Sequence, residues 1–160
     1  MRLRCVLAAA ACLWAGPWRA AAEDDEAGFL PIDGVKTTYK ILQEGTAGSA
    51  AVEAGSVVTV HATGIVRQTG KKFWSTKDPG QKPFTYTAGG GVIKGWDMGA
   101  RGMLEKEVRM LHIPADEGYG AKGFPAWGIP PGGDLNFELE VLTIKGSGKK
   151  RRRRKAKEEV

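Results

Sequence analysis

Hydrophobic and polar residues alternate most clearly near the C-terminal end of the chain. Leu135, Phe137, Leu139 and Val141 fall on one side there, and Asn136, Glu138 and Glu140 on the other. A period of two belongs to a half-buried β-strand, so residues 135–144 are expected to form one. Phe84, Thr85, Tyr86 and Thr87 alternate in the same way. Residues 37–42 are rich in strand formers and end at the turn residues Gly45 to Gly48. Residues 56–61 carry the branched run Val57, Val58, Thr59, Val60 and are expected to close at Gly64. A further strand over residues 107–113 stops at Pro114, which cannot donate to a ladder. The one helical candidate is 94–104, where Trp96, Met98 and Met103 are diluted by three glycines, so the helix is expected to be short. This order predicts an α+β fold, an antiparallel sheet with one short helix on its inner face. The Pro- and Gly-rich stretches 77–80, 118–123 and 125–133 are its loops, and a site is expected among them.

Composition narrows the picture. A chain of 160 residues, 42% hydrophobic and 26% charged, has the make-up of one soluble globular domain. Its 23 glycines, about twice the usual frequency of roughly 7%, agree with many turns and short strands. The formal charge of +6 is concentrated at the ends. Eight Lys/Arg residues lie within 149–157 and three Arg within the first 22 residues, which leaves 13 basic and 16 acidic residues between. A nucleic-acid groove would carry its positive charge on the fold, so this balance argues against one except through the tail.

Residues 1–22 read as a signal peptide. Arg2 and Arg4 precede an apolar run from Cys5 to Ala15 and the small residues Ala20, Ala21 and Ala22. The run is too short to span a bilayer, which takes about 20 apolar residues. An acidic linker is expected over 23–34, the folded domain over 35–146 and a disordered basic tail over 147–160. Removal of the leader takes both cysteines, Cys5 and Cys12, with it, leaving no thiol chemistry. His61 and His112 are too far apart in sequence to suggest a metal pair.

Several motifs can be set aside on chemistry. Residues 118–123 match G-x-G-x-x-G, but Phe124 and Pro125 follow where a dinucleotide site needs a helix start. The run Gly89, Gly90, Gly91 lacks the Lys and Ser/Thr of a phosphate-binding loop. No paired carboxylates, serine elbow or metal-ligand cluster stands out. What recurs is large apolar side chains beside glycines.

Those residues carry a resemblance. Val60-His61-Ala62-Thr63-Gly64, Lys71-Lys72-Phe73, Lys82-Pro83-Phe84 and Val92-Ile93-Lys94-Gly95-Trp96-Asp97 resemble successive blocks of an FKBP domain. So do Gly118-Tyr119-Gly120, Ile129-Pro130-Pro131 and Leu135-Asn136-Phe137-Glu138-Leu139, in family order from Val35 to Lys145. The resemblance implies a five- or six-stranded, half-open antiparallel sheet wrapped around one short helix. It implies a peptidyl-prolyl cis-trans isomerase with no metal or organic cofactor. Tyr119, Trp96, Ile93 and Phe73 would carry catalysis, with Trp96 as the pocket floor and the Tyr119 hydroxyl and Ile93 N–H as donors to ligand carbonyls. Phe84, Tyr86, Val92, Ile129 and Phe137 would bind substrate, joined by Trp74, Phe124 and Trp127, the last as an added wall at the pocket mouth.

Such a pocket suits the reaction. The barrier to amide rotation, about 18–20 kcal/mol, is the loss of C–N resonance. The twisted amide is less dipolar than the planar one, so a dry apolar site favours it relatively. A thousandfold acceleration needs only about 4 kcal/mol, and no general base.

The chain departs from the family pattern at Ala62, where a tyrosine is common, at Trp74, where an aspartate is common, and at Phe124, where a histidine or aromatic residue often sits. One extra residue precedes Ile129. The Trp74 indole is expected to fill the volume an absent phenol leaves, and macrolide inhibitors to bind with reduced affinity. An active isomerase of proline-containing clients, monomeric, is one reading; a binding or chaperone module of the same fold with weak catalysis is the other. The leader points to the secretory pathway, as an ER-lumenal or secreted protein, with another organelle lumen or the nucleus as alternatives because of the basic tail. Lys157-Glu158-Glu159-Val160 resembles a lumenal retrieval signal but lacks its Leu.

Overall fold

The computed structural model describes residues 28–146, so the leader and the basic tail lie outside the described residues. Strands β1 (Leu30–Pro31), β2 (Thr38–Gln43), β3 (Val57–Val66), β4 (Lys71–Ser75) and β5 (Phe84–Thr87) precede a helix, α1 (Lys94–Ala100). Strands β6 (Val108–Ile113) and β7 (Leu135–Lys145) follow it. All pairings are antiparallel. The seven strands run β1-β2-β6-β7-β3-β4, and β5 pairs with the first part of β3 where β4 pairs with its end. The sheet is open, with α1 packed on its inner face, as expected. It has seven strands rather than five or six, and the two extra ones escaped the alternation pattern for physical reasons.

Strand β1 is only two residues long and lies in the segment read as an acidic linker, with Leu30 opposite Tyr39 and Pro31 opposite Thr38. Strand β4 carries a bulge: Gly64 faces Trp74 and Ile65 faces Lys72, so Phe73 is the extra residue. A bulge breaks the two-residue period and re-aims side chains. Phe73 and Trp74 both turn inward as a result, Phe73 edge-on to Phe137 at 5.6 Å between centroids and Trp74 at 6.2 Å from Trp96.

Strand β3 does not close at Gly64 but continues to Val66. Glycine is used there for close approach, because a Cβ would lie 2.4 Å from Phe73 and 2.7 Å from Phe137. The two glycines in α1 do similar work. A Cβ on Gly95 would meet Ile113 at 2.4 Å, and one on Gly99 would meet Leu111 at 2.6 Å. These glycines dilute the helical pattern because they let the helix lie directly on β6. The helix ends at Ala100, four residues before the expected Leu104. Beyond it Gly102 and Met103 exchange backbone hydrogen bonds with Val52 instead.

The core lies between α1 and the inner face. Val58, Val60, Ala62 and Val66 from β3 meet Phe137, Leu139 and Val141 from β7, all 2% exposed or less. Each such aliphatic or aromatic side chain contributes roughly 1.5–3 kcal/mol by leaving water. The end of the helix is tied down by Arg109, which pairs with Glu107 at 2.5 Å and donates to the Gly99 carbonyl at 2.8 Å. That buried guanidinium fixes α1, and so Trp96, against β6.

Candidate active site

Trp96 is the buried centre of an aromatic nest. Phe137 lies 4.9 Å from it, Phe84 5.9 Å, Tyr86 6.0 Å and Trp74 6.2 Å, all tilted or edge-on. Such offset and edge arrangements suit the ring quadrupoles. Above the indole opens a recess of about 580 Å³. Its walls are Trp74, Phe84, Gly91, Val92, Ile93, Tyr119 and Trp127, with Trp96 beneath. Trp74 and Trp127 line the space and leave it open.

The regular elements place the floor. Phe84 stands on β5 and Trp96 on α1, and Val92 and Ile93 come immediately before the helix. Ile93 is the helix N-cap. Its carbonyl accepts from Asp97 N at 3.1 Å, while its own N–H precedes the ladder and has no intrahelical acceptor. Asp97 then reaches back, accepting from Gly89 N at 2.7 Å and from Arg101 at 2.9 Å. It holds the glycine run whose last member, Gly91, forms part of the wall.

Loops place the rim. A short 3-10 turn at Ala115–Glu117 leads into Tyr119, and another at Pro125–Trp127 carries Trp127. Phe124 and Ile129 exchange two backbone hydrogen bonds, N to O at 3.0 and 3.1 Å, which closes the second turn into a small loop with Trp127 near its tip. Ile129 anchors it in the core at 1% exposure, while Phe124 and Trp127 stay 38% and 43% exposed. The Trp127 ring lies nearly parallel to Trp74, 4° apart with centroids 6.4 Å apart, and stacks on Phe73 at 6.1 Å.

Seven of the expected site residues therefore meet around one space: Trp74, Phe84, Val92, Ile93, Trp96, Tyr119 and Trp127. Phe73, Tyr86 and Phe137 stand behind them as packing partners. Ile129 is core, and Phe124 flanks Tyr119 at 5.5 Å without lining the recess. The Trp74 indole makes its ring contacts with Phe84, Trp96 and Trp127, so it serves as a wall. Gly91 was missed, although its place next to Val92 and Ile93 is the signal that could have found it.

The chemistry of the recess is apolar and its walls include no carboxylate. Burial raises the Tyr119 phenol above its ordinary value, so it remains a neutral hydrogen-bond donor at physiological pH. Burial pushes Tyr86 up to about 12, opposed more weakly by the Trp96 indole. The Tyr86 hydroxyl and Trp96 Nε1 are nevertheless both buried without a hydrogen bond of proper geometry. Among the described residues no group of His, Cys, Asp or Glu is placed to hold a metal. His61 bonds Thr76 at 3.0 Å and His112 stacks on Phe29 at 3.7 Å.

Residues 48–142 match the family model described as FKBP-type peptidyl-prolyl cis-trans isomerase. The chain belongs to that family. Isomerisation of X-Pro bonds is the activity that membership carries. Over 93 residues the chain is 55% identical to the peptidyl-prolyl cis-trans isomerase FKBP12 of Arabidopsis thaliana, an overlap of 56% of this chain and 83% of that one. FKBP12 of Vicia faba is 52% identical over 106 residues, covering 64% of this chain and 93% of its own. Among solved structures, FkpA from Escherichia coli is similar with a TM-score of 0.67 and 28% identity, covering 78% of this chain and 56% of its own. Three of the FKBP blocks noted in the sequence line the recess, through Phe84, through Val92, Ile93 and Trp96, and through Tyr119.

Proposed function

We propose that this isomerase turns X-Pro bonds in the recess above Trp96, with the prolyl ring on the indole. The Tyr119 hydroxyl and the Ile93 N–H donate to carbonyls flanking the bond. One observation carries this reading: an open, mainly apolar space of about 580 Å³, floored by Trp96 and lined by the two residues that bear those donors. An amide held there loses water on most sides, which disfavours the dipolar planar form against the twisted one. Donors fixed in advance cost no reorganisation as the bond turns.

The partners are proline-containing segments of client polypeptides, bound one at a time by a monomer. Macrolide inhibitors bind more weakly than the family norm, because an indole stands at Trp74 where an aspartate is common and the walls offer no carboxylate. Residues 1–22 act as a removed leader that delivers the protein to the secretory pathway, 23–34 form a connecting segment, 35–146 the catalytic domain and 147–160 a basic tail. Mass spectrometry of the native N-terminus checks this: a start near Glu23 is expected, and an intact Met1 overturns it. No helix among the described residues is long and apolar enough to cross a membrane.

The test of the site is a proline-peptide isomerisation assay. Tyr119→Phe is expected to lower kcat/KM about fivefold, the worth of one hydrogen bond of roughly 1 kcal/mol. A variant as fast as the parent would remove Tyr119 from the mechanism.

A further inference from the structure

Behind the recess lies a polar cluster that takes no direct part in it. Glu117 is 7% exposed and sits two residues before Tyr119. Its Oε1 accepts from the Lys36 amide at 2.9 Å. Its Oε2 accepts from the Thr37 amide at 2.9 Å and the Thr37 hydroxyl at 2.7 Å. These donors lie 80 and 81 residues away in sequence, immediately before β2. The hydroxyl of Thr37 also faces the helix, since a Cβ added at Gly95 would lie 2.5 Å from it. Lys94 Nζ stands 3.8 Å from Oε1, exposed and so worth little by itself.

This arrangement joins the two ends of the site. Tyr119 follows Glu117 on one side of the cluster, and Ile93 precedes Lys94 and Gly95 on the other. The proposed donors to the substrate, the Tyr119 hydroxyl and the Ile93 N–H, thus hang from two segments pinned to the same pair of residues. Burial alone would raise the Glu117 carboxyl, but the bonds from Thr37 and the Lys36 amide outweigh it and hold the group below the usual carboxylate range.

Resting on the functional reading above, we propose that Glu117, with Thr37, is a positioning residue that sets the placement of the Tyr119 hydroxyl relative to the helix start, and thereby the fit of the site to the twisted amide. Glutamine is the diagnostic replacement. A carboxylate offers acceptors at both oxygens, whereas the amide offers one acceptor and turns an N–H toward a donor.

The test is a double-mutant cycle in the full chain, using a proline tetrapeptide well below each variant's melting temperature. Glu117→Gln is expected to lower kcat/KM about fivefold in the parent but less than about twofold in Tyr119→Phe, because a residue acting through Tyr119 has little left to lose. Thr37→Val, which keeps the carboxylate and both backbone bonds, is expected to cost about threefold, with Thr37→Ser recovering most of the loss. If Glu117→Gln does not fold, Thr37→Val carries the same cycle. Equal fold losses in the two backgrounds, or Thr37→Val at the parent's rate, overturn the positioning role and leave the functional reading standing. A Tyr119→Phe enzyme at full rate overturns both.

Discussion

The floor of the recess and its rim are made from different parts of the fold. Trp96, Phe84, Tyr86 and Phe137 stand on α1, β5 and β7, packed ring against ring, and Trp96 is 4% exposed. Trp127 and Phe124 stand on a loop, and each is more than a third exposed. Residues of the first kind have one packed arrangement, because any movement opens a void. Those of the second kind combine a few backbone bonds with ring contacts on one side and face solvent on the other. On the proposed function, chemistry common to every X-Pro bond falls to the packed floor and discrimination between clients to the rim.

Breaking the floor should have the largest effect. Trp96→Ala removes the centre of the nest and is expected to cost about 3–5 kcal/mol in urea unfolding. Trp96→Leu keeps more of the volume. It is expected to fold and to lose about tenfold in kcat/KM, since the prolyl ring loses its flat support.

A smaller effect of the floor appears in alkali. The Tyr86 phenol is raised to about 12 by burial. Its contribution to stability is therefore complete below the unfolded value near 10 and is lost as pH rises through about 12. Unfolding free energy followed from pH 9 to 12, on the order of the interval between those pKa values, should fall more steeply in the parent than in Tyr86→Phe. Parallel curves for the two would show that the phenol is not buried as described.

The rim should respond least in stability and differently in kinetics. Trp127→Ala is expected to lower unfolding free energy by only about 1 kcal/mol, the worth of its partly exposed ring contacts. It should raise KM about threefold for peptides with a bulky residue next to proline, at nearly constant kcat, the pattern of lost uniform binding. A fall in kcat of the same size would merge rim and floor into one functional unit.

Much of this division was legible in the chain. Alternation revealed β5 and β7 because each buries one face. The motif around Val92 to Trp96 located the floor even though periodicity there was weak. That weakness had a cause, since Gly95 and Gly99 face the sheet and cannot register as hydrophobic. The bulge at Phe73 hid β4, and with it the reason that two adjacent aromatic residues both point inward. Strand β1 was too short to show any period. The supports of the site were invisible for another reason. Glu117 meets Lys36 and Thr37 across some 80 residues of chain, and Asp97 meets Gly89 through a side chain on a helix. No hydrophobic period encodes such polar contacts.

The most direct measurement is of where the prolyl ring goes. Nuclear Overhauser contacts from the ring protons of a bound X-Pro peptide should reach the Trp96 indole and the rings of Phe84 and Tyr119. Contacts that avoid Trp96 and appear instead at the polar groove beside Lys36, Arg67 and His112 would contradict the account.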